Sequence, residues 1–478
     1  MLSIRPSISI VAKDTIFYGI SSFLSRSITL LTLPLLARHF TVEDYGKFDL
    51  YYLSISLMIT FFLFGQDSAI FRYFYDQKND KDRRCIVTQT IIFQLIVASS
   101  AILFFYLSKG ALVEYFNFSN ESIKFIEIIL LIVPFGILYT LAECILRLTR
   151  DLKKYILLTI GFVLAMFSLV FYGTQISEAD LDSFFKYFLY LYILFGILGF
   201  CLIIKWIEIP QKPRNIKKMI YYGLPMVAVV FVESSQPVVE RLIVSNFISM
   251  QSLGLYSVGA KLAMIVLLPV TAFNMAFMPL VMKIYRQPDA IQLFNTSLTI
   301  YITFLSVLVL IICAAAEPLV ILLAGEEYID GSTIIFPLSI ALYFHGIGSI
   351  VGIGTIISQK TYIRFLIHVL TLIFTYTLMV KMAVTFGISG VAIAAAMGKY
   401  LMFILYAFFG QRLYPFRWNY LMVAVMTTIT VIYGIFLFYN EIHSSLEVII
   451  FLISLIMIMR LGWFFLSPEN KKILRIRV

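Results

Sequence analysis

Leu293–Ala315 reads LFNTSLTIYITFLSVLVLIICAA, 23 residues without one charged side chain. As an α-helix it is about 34 Å long, enough to cross a hydrocarbon layer of about 30 Å. Its two flanks differ. Lys283 and Arg286 precede it, whereas Glu317, Glu326, Glu327 and Asp330 follow it. An apolar segment that is basic on one side and acidic on the other has the signature of an oriented membrane span.

Working outward, the same kind of segment recurs near 14–36, 48–70, 86–107, 123–145, 154–173, 184–206, 219–245, 254–280, 332–357, 364–386, 388–409, 418–439 and 445–466, which makes fourteen with 293–315. The connecting segments are too short to hold a soluble domain. Composition agrees: 61% of the 478 residues are hydrophobic and 13% charged, against about 45–50% and about 25% in a soluble chain. A cytosolic enzyme, a secreted disulfide scaffold and a single-pass receptor are excluded. The cysteines Cys85, Cys144, Cys201 and Cys313 have neither metal-ligand nor redox spacing, and read as small buried hydrophobes. The first apolar run is long enough to stay as a span, so no cleaved signal peptide is expected.

The formal net charge of +10 has two readings, a nucleic-acid footprint or membrane topology. The loops decide. The N-terminus, the loops after even-numbered spans and the C-terminus together hold 26 Lys and Arg, among them Arg83, Arg147, Lys154, Lys217 and Arg412. The alternate loops hold four: Arg38, Lys47, Lys109 and Lys381. Dropping one span would reverse every later loop and destroy this alternation. The charge therefore records orientation, with an even number of spans and both termini in the cytoplasm. No nucleic acid is expected as a partner. Lipid head groups are, at the basic loops.

Span 1 opens Lys13-Asp14-Thr15-Ile16-Phe17-Tyr18-Gly19, and span 7 opens Lys217-Lys218-Met219-Ile220-Tyr221-Tyr222-Gly223, an offset of 204. Phe40 to Phe48 has a weaker echo in Phe247 to Tyr256. Six spans per repeat preserve orientation, as in parallel repeats about an axis along the membrane normal. The expected fold is thus an all-α polytopic membrane protein of about 14 transmembrane helices. Two pseudo-symmetric six-helix lobes surround a central cavity, and two extra C-terminal helices follow. The lobes cover 1–210 and 211–412, and 413–478 holds spans 13 and 14 with a basic cytoplasmic tail.

Charge inside a span is costly and usually faces a cavity or a partner. Arg26 falls mid-span 1, Glu233, Glu240 and Arg241 in span 7, and Lys261 about two turns into span 8. Asp67 and Glu143 sit near the cytoplasmic ends of spans 2 and 4, and Lys399 mid-span 12 is a secondary candidate. Glu233 and Glu240 are seven apart, about two helical turns, and so share a face. Facing lobes would gather Arg26, Arg241 and Lys261 around an anionic head group such as a phosphate or pyrophosphate. Glu233, Glu240 and Asp67 are candidates for ion coupling or gating, with H+ or Na+ as the coupling ion. Alternatively, Glu240 and Arg241 form a structural ion network. Pro225 and Pro237 flank Glu233 and predict a bent span 7. His39, His345, His368 and His443 stand isolated, and no catalytic constellation, metal motif or phosphate loop appears. Neither an enzyme nor a bound cofactor is expected.

Several of these residues carry a resemblance. Lys13–Gly19 with Arg26 and Pro34-Leu35, Arg38–Gly46, and Gly65-Gln66-Asp67-Ser68-Ala69-Ile70-Phe71-Arg72-Tyr73-Phe74 resemble Wzx-type polysaccharide flippases, with Asn274 and Pro279 as weaker support. These belong to the multidrug/oligosaccharidyl-lipid/polysaccharide exporter superfamily. The resemblance implies alternating access and transfer of undecaprenyl-pyrophosphate-linked oligosaccharide from the cytoplasmic to the periplasmic leaflet of the bacterial inner membrane. It implies cavity cations for the pyrophosphate, Arg26 matching best. It also suggests polymerase and chain-length proteins of the same pathway as partners. Unlike the related lipid II flippases, this chain has few charges in span 2 beyond Asp67.

Two other functions compete. A multidrug or cation antiporter of the same superfamily would prefer acidic cavity walls. A membrane-embedded glycan polymerase or ligase would need a large outer loop, which is missing here.

Overall fold

A computed structural model describes residues 30–77, 79–116, 120–208, 216–287, 290–358, 360–439 and 445–466. Among the described residues every regular element is a helix. The chain divides into two compact units, Met1–Val239 and Glu240–Val478. In the first, the helices are α1 (Leu33–His39), α2 (Val42–Phe62), α3 (Gln66–Tyr75), α4 (Asp80–Phe116), α5 (Asn120–Leu148), α6 (Leu152–Gln175) and α7 (Leu181–Ile203). The division falls within α8 (Ile216–Phe247). The second unit holds α9 (Met250–Ala263), α10 (Leu267–Ile284), α11 (Ala290–Ala314), α12 (Ala316–Leu323), α13 (Ile335–Val351), α14 (Gly354–Ile357), α15 (Thr361–Leu413), α16 (Tyr420–Tyr439) and α17 (Ser445–Phe465).

Thirteen of the fourteen apolar stretches fall on these helices; most of the first, 14–36, lies outside the described residues. Nine helical stretches among the described residues are long and apolar enough to cross a bilayer by length and composition. Large apolar side chains lie outward as well as inward. Ile92, Ile96, Leu103 and Leu107 of α4 form an exposed stripe, with Leu107 78% exposed. Their spacing of four, seven and four keeps them on one helix face. Such a face suits hydrocarbon and not water. The chain is an all-α, multi-pass membrane protein.

Small residues set the closest helix contacts, as expected where packing rather than hydrophobicity drives association. In the first unit, a Cβ on Gly196 of α7 would meet the Phe135 carbonyl oxygen of α5 at 2.7 Å, and one on Gly199 would meet Ala142 Cβ at 2.8 Å. An aromatic cluster of Phe48, Phe125, Phe184, Phe185 and Phe188 closes one end of this packing.

In the second unit, α15 consists of two helices joined at a sharp kink. Gly387 has φ 58° and ψ −142°, which breaks the 53 residues in two. Across the break His368 meets Tyr406, Gly398 abuts Thr375 and Gly390 abuts Met382. One partner's number rises as the other's falls, so the two halves run antiparallel, matching the separate stretches 364–386 and 388–409. Helices α16 and α17 pack on α11. Thr430 Oγ1 donates to Ser306 Oγ at 2.8 Å, and Gly462 abuts Thr303. Ser306 in turn bonds Tyr343 Oη at 3.2 Å, so one buried polar network ties α11, α13 and α16.

Candidate functional site

Two apolar stretches that look continuous in sequence are interrupted, and each interruption sits beside a predicted site residue. The stretch 48–70 breaks between α2 and α3, where Phe64 (φ 53°) and Gly65 (φ 63°) both take the left-handed conformation. Gly65 caps α3, and Asp67 lies in its first turn. A carboxylate there faces the positive end of the helix dipole. At the break the Leu63 carbonyl oxygen accepts from the Gln66 N–H at 3.0 Å and also from the side-chain amide of the buried Gln94 of α4 at 2.5 Å. Cys144 Sγ of α5 approaches the Asp67 carbonyl oxygen at 3.6 Å.

The stretch 254–280 breaks between α9 and α10 through a 3-10 turn, Met264–Val266. Pro269 explains it: a proline has no N–H to bond the carbonyl four residues back and clashes with it. Lys261 is half-buried in the last turn of α9. There a cation meets the negative end of the helix dipole.

Glu240 and Arg241 are brought together. Arg241 Nη1 lies 3.4 Å from Glu240 Oε2, and both side chains are buried. Tyr256 of α9 completes the group: its hydroxyl donates to Glu240 Oε2 at 3.0 Å, and its ring lies 5.2 Å from the Arg241 guanidinium carbon. The buried charges thus have both a counter-ion and a hydrogen-bond partner, which such pairs require. Lys261 follows Tyr256 by five residues on α9, about 140° round the helix, and so projects from a different face.

Glu233 and Lys399 are half-buried on α8 and the second half of α15. Glu143 accepts a hydrogen bond from Tyr155 Oη at 3.2 Å, and Arg147 stacks on Phe71 with its guanidinium carbon 4.7 Å from the ring centre. Arg26 lies outside the described residues. His368 is not isolated. Its Nε2 lies 2.9 Å from Tyr406 Oη, both residues are buried, and Arg364 covers the Tyr406 ring at 5.6 Å. His39 Nε2 similarly bonds the Ala179 carbonyl oxygen at 2.8 Å.

A profile of the family described as polysaccharide biosynthesis protein matches residues 11–285. The chain belongs to this polysaccharide biosynthesis family. The family member described here is similar to a protein of the Lsg locus of Haemophilus influenzae. The two are 22% identical over 385 residues, covering 75% of this chain and 90% of the relative. It is also similar to the capsular polysaccharide biosynthesis protein CapF of Staphylococcus aureus, 24% identical over 185 residues, covering 37% and 45% of the two chains.

Among solved structures, this polysaccharide biosynthesis protein shares its fold with the lipid II flippase MurJ in an inward closed conformation. The TM-score is 0.73 at 16% identity, covering 96% of this chain and 100% of that one. An inward-facing multidrug transporter of the MATE family and MOP superfamily matches with a TM-score of 0.69 at 12% identity, covering 84% and 96%. The resemblance to this superfamily read from the first 75 residues is borne out.

Sequence reasoning about this family member missed Tyr256, Gln94 and the pairing of His368. All three act across helices, so no spacing rule exposes them. It also passed over Asp49, a buried carboxylate one residue inside the stretch 48–70. The two helix breaks did have signals, in Gly65 and Pro269.

Proposed function

We propose that this protein is an alternating-access flippase that moves undecaprenyl-pyrophosphate-linked oligosaccharide from the cytoplasmic to the periplasmic leaflet for surface polysaccharide synthesis. The observation that carries the proposal is the lipid II flippase fold in a chain of a polysaccharide biosynthesis family. A pyrophosphate and a sugar chain cannot cross hydrocarbon unaided. Cations at membrane depth offset the head group's charge, and Arg26, Arg241 and Lys261 are assigned that role. Arg241 is held by Glu240 and Tyr256 in the described conformation. It serves the head group only in a state where Glu240 releases it, and proton or Na+ capture by Glu240 would release it. Glu233 and Asp67 are further carriers of that coupling, and Lys399 is a secondary head-group contact. The protein sits in the bacterial inner membrane, and the alternating loop charges support both termini being cytoplasmic.

The test is deletion of the gene followed by isolation of lipid-linked glycan. Accumulation of a lipid-linked oligosaccharide on the cytoplasmic side, reversed by the wild-type chain and not by Arg26→Ala at equal protein level, is expected. No accumulation would overturn the proposal. The MATE-like fold supports one second reading, a multidrug antiporter. That reading predicts drug hypersensitivity of the deletion strain with normal glycan.

A further inference from the structure

The segment joining α15 to α16 is held far more rigidly than a six-residue loop needs to be. Asn295 of α11 grips it with both ends of its amide. Nδ2 donates to the Arg417 carbonyl oxygen at 2.9 Å, and Oδ1 accepts from the Asn419 N–H at 2.9 Å. Phe416 and Trp418 are buried and pack on Phe294, edge-on and tilted, with ring centres 5.6 and 6.5 Å away. Arg417, between these two anchors, is exposed. Arg412, in the last turn of α15, is exposed as well. Arg286 joins the same corner through Tyr285, which packs on Tyr414 at 5.7 Å.

Beside this loop lies a surface cavity of about 480 Å³ lined by Ala407, Phe408, Gln411, Arg412 and Tyr420. Phe408 and Tyr420 are 56% and 38% exposed. Tyr420 Oη donates to Gln411 Oε1 at 3.4 Å, which fixes both polar walls. The cavity therefore has an apolar floor along a membrane helix and a guanidinium at its rim. The sequence from Gly331 through Asn440 contains no Asp or Glu, so no carboxylate from this stretch neutralises that rim.

We propose that this cavity binds one anionic phospholipid, its phosphate on Arg412 and its acyl chains along Ala407 and Phe408. The apolar floor favours a lipid over a free phosphate, which gains nothing from hydrocarbon contact. Arginines at this rim favour an anionic head group over a zwitterionic one, whose ammonium they would repel. Pre-ordering of the loop by Asn295, Phe416 and Trp418 lowers the entropy lost on binding. The proposal rests on the membrane fold and is independent of the transported substrate.

Native mass spectrometry of the full-length protein in detergent, with equal amounts of phosphatidylglycerol and phosphatidylethanolamine, tests it. Wild type is expected to retain phosphatidylglycerol preferentially. Arg412→Ala should lower that retention by about fivefold, the effect of one arginine near an anionic lipid, and hold one fewer tightly bound lipid. Arg412→Lys should restore most of it. Both variants replace an exposed side chain, and equal melting temperatures without added lipid would show intact folding. Equal retention by wild type and Arg412→Ala, or no preference for phosphatidylglycerol in wild type, overturns the proposal. Displacement of the lipid by millimolar inorganic phosphate would show a free-anion site and overturn it too.

Discussion

The side-chain amide of Gln94 donates to the main-chain carbonyl oxygen of Leu63 at 2.5 Å, inside the first unit. Gln94 is fully buried and Leu63 nearly so. The same oxygen accepts from the Gln66 N–H at 3.0 Å, so the carbonyl at the helix break has two donors. A glutamine from the next helix thus ties α4 to the break that presents Asp67 at a helix start.

Replacing Gln94 by Leu removes that donor while keeping the side chain's approximate volume. The Leu63 carbonyl keeps the Gln66 N–H, so the loss is one buried hydrogen bond, about 0.5–1.5 kcal/mol. The melting temperature of purified Gln94→Leu in detergent should fall accordingly. An unchanged melting temperature would mean that the Gln94 bond adds nothing to the one from Gln66.

Removing one partner of a buried ion pair strands the other, at a cost of roughly 3–5 kcal/mol, whereas removing both with apolar residues of similar size costs less. Arg241→Met alone should thus be less stable than Glu240→Leu combined with Arg241→Met. Tyr256→Phe should cost about 0.5–1.5 kcal/mol, the worth of an ordinary hydrogen bond. Denaturant titration of the three variants measures this order. If Arg241→Met matches wild type, the guanidinium contributes nothing to the resting structure.

Gly354 makes a near approach to the end of α15. A Cβ there would lie 2.2 Å from the Gly410 carbonyl oxygen and 3.1 Å from that of Tyr414. Backbone atoms cannot rotate away as a side chain can. Gly354→Ala should separate α14 from α15 at a cost of about 1–3 kcal/mol, the range for overpacking. The melting temperature of the purified variant should fall accordingly; an unaltered value would argue against the separation.

Asp180 caps α7. Hydrogen bonds from the Ser183 hydroxyl and N–H hold its carboxyl below the usual carboxylate range. Because the folded value is the lower one, its stabilisation is present above the unfolded value of about 3.9 and is lost as pH falls through the folded value. Asp180→Asn keeps a capping side chain that does not titrate. The stability advantage of wild type over this variant should shrink as pH falls from 6 to 3. An advantage constant across that range would show that the cap's charge plays no part.

Sequence alone determined that this chain crosses a membrane many times and that charge at Arg26, Asp67, Glu233, Glu240, Arg241, Lys261 and Lys399 needs a reason, and it set an expectation for which ends of its spans face which side. Those conclusions rest on one-dimensional quantities: segment length against bilayer thickness, and the sign of charge in successive loops. Tertiary structure decided the rest. The buried pair of Glu240 and Arg241 gained its third member from Tyr256, sixteen residues away on another helix. His368 found Tyr406 across a hairpin whose turn at Gly387 lies between two uninterrupted apolar runs. The breaks beside Asp67 and Lys261 were marked by Gly65 and Pro269, yet neither residue by itself says whether a helix kinks, stops or continues. That outcome depends on the contacts that neighbours such as Gln94 make with the backbone at the break, and only packing of the folded chain sets those contacts.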